Sequence, residues 1–371
     1  MLDEQTSRSK NLNSPGSREA AFSVDTSRGF VEWLESKSVS LGVTTYQVGK
    51  IILFGVDRQA DTAPKLWSFN RNIGRCLGMA TDDQGFWVTS DTQLIRFNNL
   101  LGDGQIGALQ TDALFAPRFS YFTGDVDAHD LAIQSNGDLL FANTLFNCVS
   151  KPSKNHSFEP VWRPDFISRL AAEDRCHLNG VAIRDGALRY VTLVSQTDVF
   201  DGWREHRENG GVVIDVQSGE VICSGLSMPH SPRWHAERLW LNNSGTGEFG
   251  YVDEKKKGFV PVTFCPGYLR GLSFIDETTA VVGLSLPRDN KTFRGLELDD
   301  RLKDAGVSAR CGLYFIDLAS GDVIHSMVFH GVVSELYDVV TFPGIKKPSM
   351  IGPNTPDIKR TLSIPPESHH A

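Results

Sequence analysis

One phrase recurs along the chain, and any fold has to accommodate its spacing. The clearest copy is Cys176-His177-Leu178-Asn179-Gly180-Val181-Ala182-Ile183, followed by a turn on Asp185-Gly186 and by Ala187-Leu188-Arg189-Tyr190-Val191-Thr192. An apolar run, an Asp-Gly turn and a second run rich in β-branched and aromatic residues spell a β-hairpin. Arg75 to Ala80 leads through Asp83-Gln84-Gly85 into Phe86-Trp87-Val88, and Asp127 to Ile133 leads through Asn136-Gly137 into Leu139-Leu140-Phe141. Pro229 to Trp234 and Tyr268 to Phe274 open two further copies, and Glu335 to Val340 supplies a first strand alone. The copies start roughly 35 to 55 residues apart, a period that belongs to ring-like and stacked repeat arrays.

Most hairpins are followed by two more β-rich runs, such as Gly211 to Asp215 and Val221 to Ser224. Four antiparallel strands per repeat make a propeller blade. Gly42 to Tyr46, Ile51 to Asp57 and Lys65 to Phe69 lack an innermost strand, and Leu336 to Thr341 has no strands to follow it. Pairing the two remainders predicts an all-β, six-bladed β-propeller closed between the ends of the chain. A seven-bladed ring, with Leu41-Gly42-Val43 opening its own blade, is the alternative, and it leaves an unpaired edge.

The expected boundaries are a disordered segment over 1–28, the propeller over 29–343 and a Pro-rich, disordered tail over 344–371. Phe30, Trp33 and Leu34 stand at helical spacing and predict a short helix packed on the ring. A net charge of −8 provides no basic stripe for phosphates, so nucleic acid is not an expected partner. No run of about 20 apolar residues crosses a bilayer, and the polar N-terminus lacks the apolar stretch of a secretory signal. The expected location is the cytoplasm, with no membrane partner. The six cysteines stand singly in different repeats, as reduced and buried side chains do.

Three stretches interrupt the repeats. Leu101 to Val126 reads as a long irregular connection, and loops of that length are often binding loops. Gln196 to Gly210 carries Phe200, Trp203 and Arg204, and Asp289 to Arg310 carries Phe293 and a charged, helical Leu296 to Ala305. Both of the latter fall between the second and third strands of a blade, which places them over one mouth of the central channel.

Innermost strands line that channel, and strand side chains alternate with period two. The position of Asn179 is filled in the other repeats by Leu77, His129, His230, Arg270 and Tyr337, and that of His177 by Arg75, Asp127, Met228, Tyr268 and Glu335. Neutral imidazole suits Zn, Fe, Cu or Ni, and suits Ca less. His129, His177 and His230, with Asn179 as an oxygen donor, form the expected metal set, and Asp127 orients an imidazole from behind. Arg270 and Arg75 are expected to hold a carboxylate or phosphate of the substrate, with Trp203 and Arg204 contributing from the overhanging insertion. Tyr337, Glu335 and Tyr268 are the expected general acids or bases.

His177-Leu178-Asn179-Gly180-Val181-Ala182 resembles the Asn-Gly strand of the gluconolactonase, senescence-marker and strictosidine-synthase-like six-bladed propellers. In the metal-dependent members of that superfamily the matching asparagine ligates a central divalent ion. The next repeat departs from them, with His230-Ser231 where the gluconolactonases carry Asp-Gly. A histidine-rich channel is similar in type to the zinc-bearing amidating-lyase propellers. From about Phe30 to Gly352 the chain resembles a family of conserved hypothetical bacterial proteins, through Asp127-Ala128-His129-Asp130-Leu131, Cys176 to Gly180, Pro229 to Trp234 and Asn243 to Gly247. Two functions are therefore expected as alternatives: a metal-dependent hydrolase or lyase for a small anionic substrate, or a non-catalytic scaffold that contacts a protein partner through the loops 101–126 and 196–210.

Overall fold

The computed structural model describes residues 22–287 and 294–364. Among these residues six sheets, antiparallel but for one edge strand, stand around one axis, and each begins with a strand on that axis. Leu336–Pro343 is the innermost strand of the first blade, followed outward by Val39–Thr45, Lys50–Asp57 and Lys65–Asn72. The closing register pairs Leu41 with Thr341 and Val43 with Val339. This is the closure the two sequence remainders require, and it gives the six-bladed ring rather than the seven-bladed one.

The innermost strands of blades two to six are Met79–Asp82, Ala128–Ile133, Leu178–Arg184, Pro229–His235 and Tyr268–Asp276. Their hairpins follow the turn chemistry read from the sequence. Arg184 pairs with Ala187 across Asp185 and Gly186, at φ 54° and 78°, which is the left-handed pair that a two-residue hairpin requires.

The stretch 101–126 differs from expectation. Ala113–Phe122 is a ten-residue strand, the fourth of blade two. Alternation is masked in the sequence because this outer strand buries only part of one face. Both outer boundaries also move. Ser23–Thr26 pairs with Val323–His330 on the edge of blade six, and Pro348–Met350 runs parallel to Ala113–Phe122 on the edge of blade two. Each covers an edge that would otherwise expose unpaired backbone groups.

The predicted helix is Phe30–Lys37. Its buried Phe30 and Leu34 join a core cluster drawn from blades one and six, with Phe30 centred 5.0 Å from Phe315. The helix therefore covers the seam where the ring is closed. All six cysteines are free and buried, and burial pushes the Cys76 thiol up to about 12.

At the waist of the axis the blades do not repeat singly but in pairs. Asp338, Asp130 and Ser231 occupy one position on blades one, three and five, and Gly78, Gly180 and Gly271 occupy it on blades two, four and six. Each polar residue caps a backbone N–H of the next blade: Asp338 accepts from Met79 (2.8 Å), Asp130 from Val181 (3.0 Å) and Ser231 from Gly271 (3.0 Å). The glycines leave room for this, since a Cβ on Gly78 would lie 2.7 Å from the Asp130 Cα. Arg233 reaches across to Asp130 through two bonds of 2.8 and 2.9 Å, and comes within 3.6 Å of Asp338. Burial and the neighbouring Asp130 raise the Asp338 carboxyl above its ordinary range, against the pull of Arg233. This charged cluster divides the axis into two back-to-back recesses, one largely apolar and the other polar.

Candidate functional site

The polar recess lies on the side where the innermost strands begin, and its volume is about 170 Å³. That is close to the ~150 Å³ that admits a molecule the size of benzene. Asp127 and His129 come from blade three, His177 from blade four, Arg270 from blade six and Tyr337 from blade one. Trp203 and Arg204, on the insertion in blade four, form one wall, as their placement between its second and third strands predicts.

His177 is held from two sides. Its Nδ1–H donates to the Asp174 carboxylate at 2.9 Å, and the Trp203 indole stacks on its ring at 4.2 Å between centroids. The Trp203 Nε1–H donates to the same Asp174 oxygen at 2.8 Å. A carboxylate accepts only, so Nδ1 carries the proton and Nε2 is the basic nitrogen left for the pocket. His129 is fixed in the same way, its Nδ1–H donating to the Asp127 carbonyl at 2.8 Å. Burial lowers the His129 pKa, against the pull of the Asp127 carboxylate. Burial alone would raise the Asp127 carboxyl, but His129, His177, Arg75 and Arg270 outweigh it and hold the group ionised.

Four pocket residues that are not glycine, Asp127, Asp174, His177 and Met228, have left-handed backbone with φ of 50°, 38°, 50° and 50°. Such conformations cost about 1–3 kcal/mol and gather at functional sites. In blade four the left-handed turn also breaks the alternation: His177 lines the pocket and Asn179 does not, although period two places them on one face. The ladder slips between Leu178 and Gly180 at the same point. The Asn179 Oδ1 accepts from Thr192 (2.9 Å), and its amide nitrogen is buried without a partner.

The expected metal set does not assemble. His230 is buried behind Met228, its Nδ1–H donating to the Met228 carbonyl (2.8 Å) and approaching Ser244 Oγ (3.0 Å). Among the described residues no group of three or more His, Cys, Asp or Glu side chains is placed to hold a metal ion. His129 and His177 meet edge to face, with ring centroids 4.8 Å apart, instead of turning two lone pairs to one point.

The remaining expected residues divide in the same way. Glu335 is ion-paired to Arg270, both buried, and so orients the guanidinium instead of facing the pocket. Tyr268 lies under that guanidinium at 5.1 Å and does not line the recess. Tyr337 does line it, 4.9 Å from the same guanidinium, and burial pushes its phenol well above the ordinary value, which keeps the hydroxyl protonated. Arg75 is taken up by Asp125 (2.9 Å), Asp91 (3.6 Å) and Asp127 (3.7 Å) and stays outside the lining. Phe293 falls outside the described residues. Asp174 was missed, and its only sequence signal is the three-residue spacing to His177.

No curated protein matches the chain. Among solved structures, similarity extends to the nidogen/laminin complex (14% identity over 82% of this chain and 99% of that one, TM-score 0.49). It extends also to a gluconolactonase from Xanthomonas campestris (11%, 80% and 86%, TM-score 0.43). A third is virginiamycin B lyase from Staphylococcus aureus (11%, 84% and 100%, TM-score 0.37). Likenesses at this level bear on neither substrate nor reaction. The family model for the domain of unknown function DUF4915 matches residues 28–351, most of the chain, and the protein belongs to that family.

Proposed function

We propose that the polar recess is the active site of an acid–base enzyme, of hydrolase or lyase type, that acts without a metal on a small, uncharged, polar substrate. The observation that carries this reading is the Asp174–His177 pair, which presents a fixed Nε2 lone pair to a pocket with room for only a few heavy atoms. A positioned imidazole of known tautomer is the usual group for removing a proton from carbon or from water. Tyr337 supplies an O–H to a leaving or developing oxygen, and Arg270, steadied by Glu335, directs N–H donors at a carbonyl.

Charge favours an uncharged substrate over the anionic one expected from the sequence. Arg270 is balanced by Glu335, Arg75 by Asp125 and Asp91 and Arg204 by Asp201 at 2.9 Å, while Asp127 and Asp174 remain in the lining. An anion would meet those carboxylates at close range.

The test is a panel of small esters, lactones and β-substituted ketones, each with and without a carboxylate, assayed on protein before and after dialysis against a chelator. Turnover of the uncharged members that survives dialysis is the expected result. Turnover confined to carboxylate-bearing members, or lost with the metal, contradicts the proposal. Val199 and Phe200, about two-thirds exposed on the same insertion, favour the scaffold reading if nothing in the panel is turned over.

A further inference from the structure

The second recess on the axis takes no part in the proposed chemistry. Its volume is about 260 Å³, and all six blades contribute to its lining. Every lining residue follows the waist position of its own strand, as Met79 follows Gly78 and Val339 follows Asp338. The residues that the same strands bring to the His177 pocket precede that position. The two recesses therefore open at opposite mouths, with the waist between them. At about 260 Å³ the second one exceeds the ~150 Å³ that takes a single benzene ring.

Its accessible surface is selective. The lining residues that are only half-buried include Arg233, Trp234, Phe274, Ile183 and Ala80, while those deeper between the blades, such as Leu131 and Val181, are apolar and enclosed. Trp234 and Phe274 are held by partners outside the lining: the Arg184 guanidinium lies 3.9 Å over the Trp234 ring, and the His235 ring stacks 3.7 Å from Phe274 at 8°. A preformed apolar recess with a small number of placed polar groups is the usual form of a small-molecule site. Here the placed group is the Arg233 side chain, 21% exposed, where its partners Asp130 and Asp338 are 5% and 3% exposed. Its terminal nitrogens are engaged by both Asp130 oxygens (2.8 and 2.9 Å) and by the Pro232 carbonyl (2.9 Å). What reaches the recess is a neutralised charge on a planar group, and such a group packs well against aromatic rings. Two carboxylates behind one guanidinium disfavour an anion, and the guanidinium itself disfavours a cation.

We propose that this recess is a binding site for an uncharged aromatic molecule of one or two rings, which packs on the Arg233 guanidinium and against Trp234 and Phe274. The site is independent of the acid–base reading and stands or falls without it.

The test is calorimetric titration of the full-length protein with indole and with indole-3-carboxylate, which adds one negative charge to the same ring system. Indole is expected to bind saturably at a single site, and indole-3-carboxylate at least about ten-fold more weakly, because its charge is desolvated beside Asp130 and Asp338. Trp234→Ala and Phe274→Ala are each expected to weaken indole binding about ten-fold through the lost ring contact. Thr81→Trp places bulk in the lining away from the waist, and is expected to weaken indole binding at least about ten-fold by steric exclusion in a protein that melts as the wild type does. His177→Ala is expected to leave indole affinity unchanged, which assigns the probe to this recess and not to the polar one. No saturable binding, equal affinity for the two probes, affinity that survives all three recess substitutions, or affinity lost with His177→Ala overturns the proposal.

Discussion

Asp174 and His177 are three residues apart, yet the sequence brought out only one of them. His177 was legible because it repeats a register position, as were His129, Arg270 and Tyr337, all of which line the recess. Asp174 was not, because it reaches His177 through left-handed backbone at both residues, a conformation that no periodicity encodes. Asp174→Asn is expected to lower turnover about 10²–10⁴-fold, since the amide no longer selects the imidazole tautomer. Thermal melting that shifts by only a few degrees alongside that loss places the effect in the chemistry. Two groups with opposite signs act between pH 7.5 and 5: His129 and His230, both lowered by burial from an ordinary value of 6.5, and the Asp338 carboxyl, raised to about 7, which takes up its proton in the folded state and stabilises it as pH falls. The unfolded chain takes up the imidazole protons near 6.5 while the folded chain resists, so their stability, present above that pH, is lost as pH falls towards the folded values. Urea unfolding between pH 7.5 and 5 should show a free energy that falls more steeply with falling pH in wild type than in His230→Phe, and equal slopes in the two proteins would contradict the burial of a neutral imidazole at His230.

The insertion over 196–210 ties an irregular element to the chemistry. Arg175, itself buried, holds it through an ion pair with Asp198 and bonds to Glu173 and Ser168 at 2.7 and 3.2 Å. Trp203 packs with Met228, Tyr268 and Leu298, the last from the helix Glu297–Asp304 of the second insertion, so the two insertions share one apolar cluster over the pocket. Their place over one mouth was legible from blade topology. The bond from Trp203 to Asp174 was not, since it depends on a side-chain direction. Trp203→Phe keeps the stack and loses the N–H, a change of about 0.5–1.5 kcal/mol. Trp203→Ala also empties the cluster and is expected to cost about 3–5 kcal/mol in denaturant unfolding. Equal destabilisation by the two variants would show that the indole N–H, and not the packing, holds the insertion.

Across the whole molecule, six blades and their closure followed from counting strands, because hairpin chemistry is local and the two incomplete ends fit one another. The paired character of the ring was also written in the chain, as Asp338, Asp130 and Ser231 alternating with Gly78, Gly180 and Gly271. Comparing each repeat with its neighbour hides that alternation, and only a comparison of every second repeat brings it out. Asp130→Ala should leave the partly exposed Arg233 without its bidentate carboxylate and uncap the buried Val181 N–H, at about 1–3 kcal/mol; no measurable loss by urea unfolding would mean that the waist is not held by these bonds. The waist confines the proposed chemistry to one blind recess, in which His177 is the base. The most direct test is therefore the turnover of wild type and His177→Ala on the same uncharged substrate, with melting followed in parallel. The account predicts a loss of at least about 100-fold in a protein that still melts cooperatively near the wild-type temperature. Equal turnover by the two proteins, or a loss that merely tracks unfolding, would contradict it.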